Sequence, residues 1–432
     1  MINLLIIILY AIGNQFQISL IGQMSISDVA VLAFYLYLPT NRKMVEKLTE
    51  DKNIQTITLL YGILFFIQVI AETMIDNELE SAAKSLAVTI LSYLKFIFLW
   101  LLITRKQGNI WWLLLFTSIA SLTFKDHMEE ASLEDMLAGE EMGYLKFFLA
   151  PLICDIVLLI SLYFKRRILY PLFIGTGIFL IILGARSAGL MLFLTGVVAF
   201  FIRSKDIINR NTIYSWGIFL TVLCYALYVL YVNAVLSGNI VSGNSSDQLK
   251  RLDNPYNPIS LLFTGRTEST ASLKAIADSP WIGWGAWRAD PNYKYHRYIS
   301  KELGEKFDVN RTGHHWIPTH SVIFGAGVNN GVFAIIAICA IIFYFIYKGG
   351  KSLTSDNPYL YLIIFCIMEL LWNGFFSPTS HFRYSFPEYF VYCLFSYKLY
   401  MRNKNFQKLN YAKKYLSSHT YSRKPTNTEK NR

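Results

Sequence analysis

The sequence predicts an all-α polytopic membrane protein of about twelve transmembrane helices, with one large external loop that contains short helices. Three observations carry that expectation. Only 16% of the 432 residues are charged and 54% are hydrophobic, against about a quarter charged in soluble domains. The apolar residues come in long runs, close to the roughly 20 needed to cross about 30 Å of hydrocarbon. Basic residues recur in alternate connections between those runs, the pattern that orients helical membrane proteins.

The runs are 2–22, 25–39, 54–73, 83–104, 110–124, 144–164, 168–184, 188–202, 211–236, 320–347, 358–376 and 385–400. No Lys or Arg precedes Arg42, so the N-terminus lacks the basic n-region of a cleavable signal and reads as a retained span. Basic residues follow every second run: Arg42, Lys43, Lys47 and Lys52, then Arg105 and Lys106, Lys165 to Arg167, Arg203, Lys205 and Arg210, and Lys348 and Lys351. With the tail from Lys398, that side holds more than half of the 40 Lys and Arg. Both termini are therefore expected in the cytoplasm. The expected organisation is nine spans within 1–236, an external loop at 237–319, three spans within 320–401, and a basic cytoplasmic tail at 402–432. The tail is polar and reads as disordered beside anionic headgroups.

The net charge of +11 is thus an orientation signal plus a basic tail, and nucleic-acid binding is a poor reading of it. Cys154, Cys224, Cys339, Cys366 and Cys393 all lie in apolar runs, with no metal-ligand spacing, and read as packing residues. The other side receives the acidic loop 125–143, the turn at Gly184–Ser187, the polar segment 237–317 and the turn at 377–384.

Within the polar segment a short helix is expected at about 267–279. Thr267 can cap it, Leu273, Ile276 and Ala277 share a face, and Pro280 follows. Three residues then attract interest: Arg186 in GARSAG at the outer membrane edge, Arg266 in TGRTES before the loop helix, and His320 where the chain re-enters the bilayer. Charge at such depth usually faces protein or a water-filled cavity. Two guanidiniums near one interface suit a dianionic head such as pyrophosphate, which each fork grips bidentately. The plain readings stand beside this: Arg186 snorkelling to a headgroup, Arg266 solvated at a helix start, His320 a satisfied interfacial histidine. Trp281, Trp284, Trp287 and Trp316 read as an interfacial belt, or as stacking surfaces for sugars. No histidine trio has metal spacing.

At these residues the chain resembles the O-antigen ligase and O-antigen polymerase superfamily of bacterial envelope glycan assembly. GARSAG opens a late span, and a Gly-Arg starts a loop helix. SPWIGWGAW is similar to the family's Pro-x-x-Gly-x-Gly element, and His320-Ser321 is followed after nine residues by Gly331. Ala334 stands where ligases usually have Gly, Thr or Tyr. The resemblance implies a GT-C-like helical fold in the bacterial cytoplasmic membrane. It implies a metal-independent glycosyltransferase without a cofactor, acting on undecaprenyl-pyrophosphate-linked oligosaccharide, with a chain-length regulator and a flippase as pathway partners. Carried over residue by residue, Arg186 and Arg266 hold the donor pyrophosphate, and His320 contacts the acceptor hydroxyl or the same phosphate. Arg383 on the turn at 377–384 is an auxiliary contact, Trp284 a sugar contact, and Glu268 an alternative base. A polymerase is the leading expectation, a ligase the alternative. A lipid-linked oligosaccharide flippase is the third, for which Lys95 and Glu369 are the main mid-span ionisable candidates.

Overall fold

The computed structural model describes residues 2–20, 22–106, 108–124, 145–164, 168–204, 228–238, 267–302 and 315–421, with scattered positions between 218 and 309. Arg266, the acidic loop 125–143 and much of the expected ninth span 211–236 lie outside the described residues.

The chain opens with α1 (Ile2–Gly13), a hairpin of β1 (Gln17–Leu20) and β2 (Gly22–Ser25), and α2 (Ile26–Tyr37). There follow α3 (Arg42–Thr49), α4 (Lys52–Met74), α5 (Leu79–Arg105), α6 (Asn109–Phe124), α7 (Ala150–Phe164), α8 (Tyr170–Ile182) and α9 (Arg186–Ser204). A loop subdomain contributes α10 (Thr267–Asp278) and α11 (Lys294–Glu302). The chain then returns through α12 (Val322–Lys351), α13 (Leu360–Phe376), α14 (Ser380–Tyr384) and α15 (Phe386–Tyr421). By length and composition α4, α5, α9 and α12 can each cross a bilayer alone. The apolar helices α1, α2, α6, α7, α8 and α13 are shorter. This is an all-α membrane fold carrying, among the described residues, one two-stranded hairpin.

Two expectations about helix extent are corrected. The run 2–22 is helical only to Gly13, about 18 Å of helix, and the remainder forms the antiparallel hairpin that pairs Gln17 with Ser25. Run length hid the punctuation. Asn14 and Gln15 interrupt the helix, and Ser25 with Asp28 forms a capping box that starts α2 afresh. The second correction is the tail, which continues helically in α15 to Tyr421 where disorder from 402 was expected.

The polar connections gather at one end of the bundle. Lys47 reaches Thr104 (3.3 Å), Lys398 reaches Asp51 (3.3 Å), and Ser352 bonds Ser396 (2.8 Å). At the same end Tyr361 stacks on Phe173, accepts from Leu169 N–H, and lies under the Arg203 guanidinium. That end carries Lys47, Lys398 and Arg203, in keeping with the charge pattern read from the sequence.

Inside the bundle, Asp28 of α2 pairs with Lys95 of α5 (3.0 Å) and with Arg383 of α14. Lys95 also donates to Asn14 (2.9 Å), and Asp28 and Lys95 have no exposed side-chain surface. One carboxylate thus ties together the end of α1, the start of α2, α5 and α14. Arg383, expected on an external turn, is turned inward to this cluster, where it shares the buried Asp28 carboxylate with Lys95. Ser92 Oγ donating to Phe382 O (2.7 Å) fixes the neighbouring backbone.

Candidate functional site at the break in α12

Arg186 owes its place to a tight turn. Ala185 N–H donates to Leu180 O (2.9 Å), closing the end of α8 and letting Arg186 begin α9. The two helices lie close because Gly177 and Gly189 face each other: a Cβ on Gly189 would sit 2.6 Å from Gly177 O. Since Arg203, in the last turn of α9, lies beside Tyr361, Arg186 lies about 25 Å away along the helix, at the opposite end.

His320 lies at that opposite end too. Ser321 caps α12 by accepting from Phe324 N–H (3.0 Å) and donates to Gly374 O (2.9 Å) near the end of α13. Since α13 starts beside Tyr361, its last turn, the start of α12 and the start of α9 share one end of the bundle. His320 is half-buried, as is Arg186, which has no carboxylate within ion-pair distance among the described residues.

The loop subdomain roofs this end. Its core is Ala271, Ala275, Tyr295, Ile317 and Val328. Ser272 Oγ donates to Pro318 O (3.2 Å), so Glu268, one turn earlier in α10, lies near the approach to His320. Trp284 is used for packing: its indole N–H donates to Ala275 O (2.8 Å) and its ring meets Tyr295 edge-on.

The feature that builds the site is a break in α12. Gly331 takes φ 79° and ψ −174° inside the helix, a conformation open essentially to glycine. Around it the loop Pro280–Gly285 replaces the helix's own hydrogen bonds. Val332 N–H, which would donate to Val328 O, donates to Pro280 O (2.8 Å). Val328 O accepts from Trp284 N–H (2.7 Å), and Asn329 O accepts from Gly285 N–H (2.9 Å). Gly283, at φ 73°, lets the loop approach the α12 backbone, where a Cβ would lie 2.6 Å from Asn329 O. A Cβ on Gly331 would collide with Trp281 O. The two sequence elements around Pro280 and Gly331 are therefore complementary halves of one backbone lock.

Glu72, in the last turn of α4, completes the lock, and sequence reasoning missed it. It is 4% exposed and accepts from Asn77 Nδ2 (2.6 Å), Ala286 N–H (3.2 Å) and Asn330 Nδ2 (3.1 Å). Asn77 Nδ2 also donates to Ala286 O (3.1 Å). The available signal was a lone carboxylate near the end of an apolar run, where it costs too much to stay unpartnered.

The arrangement therefore gathers Arg186, His320 and the α10 start at one end of the bundle, with Arg383 held apart in the interior. Residues 171–339 match the family model described as O-antigen ligase. That stretch begins in α8, spans Arg186, Glu268, Trp284 and His320, and ends in α12. No individual curated protein matches the chain. The match supports an O-antigen ligase or polymerase type of activity.

Proposed function

We propose, from the match of residues 171–339 to the O-antigen ligase family model, that the chain is a glycosyltransferase-type polymerase. It joins undecaprenyl-pyrophosphate-linked oligosaccharide repeats into a surface polysaccharide on the outer face of the bacterial cytoplasmic membrane, without a metal. Arg186 and Arg266 hold the donor pyrophosphate, stabilising the charge that develops on the leaving group as the glycosidic bond breaks. His320 takes the proton of the acceptor hydroxyl or orients it, and Glu268 is the alternative base. The observation that supports the reading is the lock at Gly331, which joins the loop after α10 to α12, while Ser272 Oγ ties α10 to Pro318 just before His320.

The alternative is a ligase that passes the finished glycan to a lipid A core or a protein. Deleting a polymerase leaves single repeats on the acceptor, whereas deleting a ligase leaves long chains on carrier lipid. A glycolipid gel of the deletion strain, complemented with Arg266→Ala and His320→Ala, tests the site. Full-length polymer in both variants refutes it. A flippase is the third reading, favoured by carboxylates within the helices. Ser118 donates to Asp155 (2.7 Å) and Asn373 to Glu369 (2.7 Å), and neither acid has a Lys or Arg within ion-pair distance among the described residues. Movement of lipid-linked oligosaccharide across vesicles, without new glycosidic bonds, would select that reading.

A further inference from the structure

The loop subdomain carries a second cluster that the proposed transfer does not use. Asp290 is its hub. It is 6% exposed, and its carboxylate accepts from the N–H groups of Tyr295 (3.0 Å) and His296 (2.9 Å) and from His296 Nδ1 (2.7 Å). Its own N–H donates to His315 O (2.7 Å), and Ile317 N–H donates to Arg288 O (3.1 Å), which fixes 288–290 beside 315–317. Between the hub and α11 the chain turns through Asn292 and Tyr293, both left-handed at φ 53° and 55°. A bulky non-glycine residue adopts that conformation only when its surroundings enforce it.

The turn sets the Tyr293 ring between two imidazoles, 6.0 Å from the His296 ring and 5.7 Å from the His315 ring. The Tyr293 hydroxyl bonds His315 Nδ1 at 2.7 Å, and the Phe307 ring lies 5.5 Å away. A carboxylate only accepts, so His296 carries a proton on Nδ1, and the neutral ring then presents Nε2 as an acceptor. With the phenol donating to His315 Nδ1, the neutral His315 presents Nε2–H as a donor. Neither Nε2 has a hydrogen-bond partner among the described residues. His315 is exposed, and Tyr293 and His296 are half-buried.

Helix capping by Asp290 explains the bonds to Tyr295 and His296 N–H, but not the left-handed Tyr293 or the phenol–imidazole bond. We infer that this face is a saccharide-binding platform that holds a sugar unit of the glycan. The Tyr293 ring takes the sugar's apolar C–H face, and the flanking imidazoles offer one acceptor and one donor to its hydroxyls. The inference rests on the reading of the chain as acting on lipid-linked glycan. A metal ion fits less well, because no group of three or more His, Cys, Asp or Glu side chains able to hold one occurs among the described residues.

The test uses the full chain in lipid nanodiscs. It is titrated calorimetrically with free polysaccharide released by mild acid from the glycolipid of the cells that make this protein. Wild type should bind. Tyr293→Ala should raise Kd about tenfold, equivalent to about 1.4 kcal/mol, and Tyr293→Phe and His315→Gln by smaller factors. Circular dichroism and thermal melts check folding; if Tyr293→Ala does not fold, the two milder variants decide. Arg266→Ala should bind as wild type does, even where it abolishes polymer in cells. Variants that all bind like wild type, or a wild type that binds no polysaccharide at millimolar concentration, overturn the platform. Polymer formed by Arg266→Ala in cells instead speaks against the proposed transfer site, whatever the titration gives.

Discussion

Asp28 and Glu72 are both buried carboxylates at junctions of several elements, and they are satisfied in opposite ways. Asp28 faces two cations, Lys95 and Arg383, within the helical bundle. Among the described residues Glu72 faces only N–H groups, two from asparagine side chains and one from the backbone of Ala286. The first junction joins helices to helices, and removing its anion strands two positive charges. The second joins a helix end to a loop, and removing its charge leaves neutral donors and strands no cation. A firmly paired hub suits the scaffold, and a hub of neutral donors suits the part that must seat a substrate.

That contrast can be broken in steps. The largest effect is expected from Asp28→Leu, which leaves two uncompensated cations at a cost of about 3–5 kcal/mol. The expected outcome is loss of the monodisperse peak in detergent size-exclusion chromatography. Replacing Lys95 and Arg383 by Met in the same chain should recover much of it; no recovery would show that Asp28 acts otherwise than by charge pairing. Next is Gly331→Ala, for which the φ of 79° alone costs on the order of 1–3 kcal/mol. Because the break serves the loop, polymer on a glycolipid gel should fall sharply while the bundle's melting temperature stays within a few degrees. Smaller again is Glu72→Gln, which retains an acceptor and should lower polymer yield partially; removal of one hydrogen-bond partner costs about 1–3 kcal/mol. An equal loss of bundle stability would place Glu72 with the scaffold.

The smallest effect concerns Asp278. The hydrogen bond from Lys294 Nζ (2.7 Å), and then that from the Tyr295 hydroxyl, hold its carboxyl below the ordinary carboxylate range. Burial, aided by the same bond, pushes the Tyr295 phenol up. A depressed value in the fold means that the contribution is complete above the unfolded value, about 3.9, and fades as pH falls through the folded one. Hydrogen exchange in α10 and α11 should therefore quicken below about pH 4 with the bundle unchanged. Lys294→Met should remove most of that dependence, at a cost below about 1 kcal/mol because the pair is partly solvated.

The same contrast explains what was legible in the sequence. Apolar runs and basic connections report burial in lipid, and they located α4, α5, α9 and α12 within a few residues. They could not report that Asn14 and Ser25 divide the first two runs, because a hairpin and a helix present the same hydropathy. Arg383 looked external because its turn is short and polar, yet the charge of Asp28, 355 residues away in sequence, draws it inward. Arg186, His320 and the Pro280 and Gly331 elements stood out because charge and glycine are conspicuous in such a chain. Glu72 did not stand out, because its partners are backbone and amide groups that no spacing rule reveals.

The Asp28–Lys95–Arg383 cluster also bears on how the molecule is made. Asp28 and Lys95 leave the ribosome early and cancel each other's charge, so α2 and α5 can be released into lipid as a neutral couple. Arg383 emerges among the last segments and is itself unfit for hydrocarbon until it finds that couple. The late arrival makes it a closing staple, and a nascent chain stopped before it retains two paired helices without the crosspiece from α14.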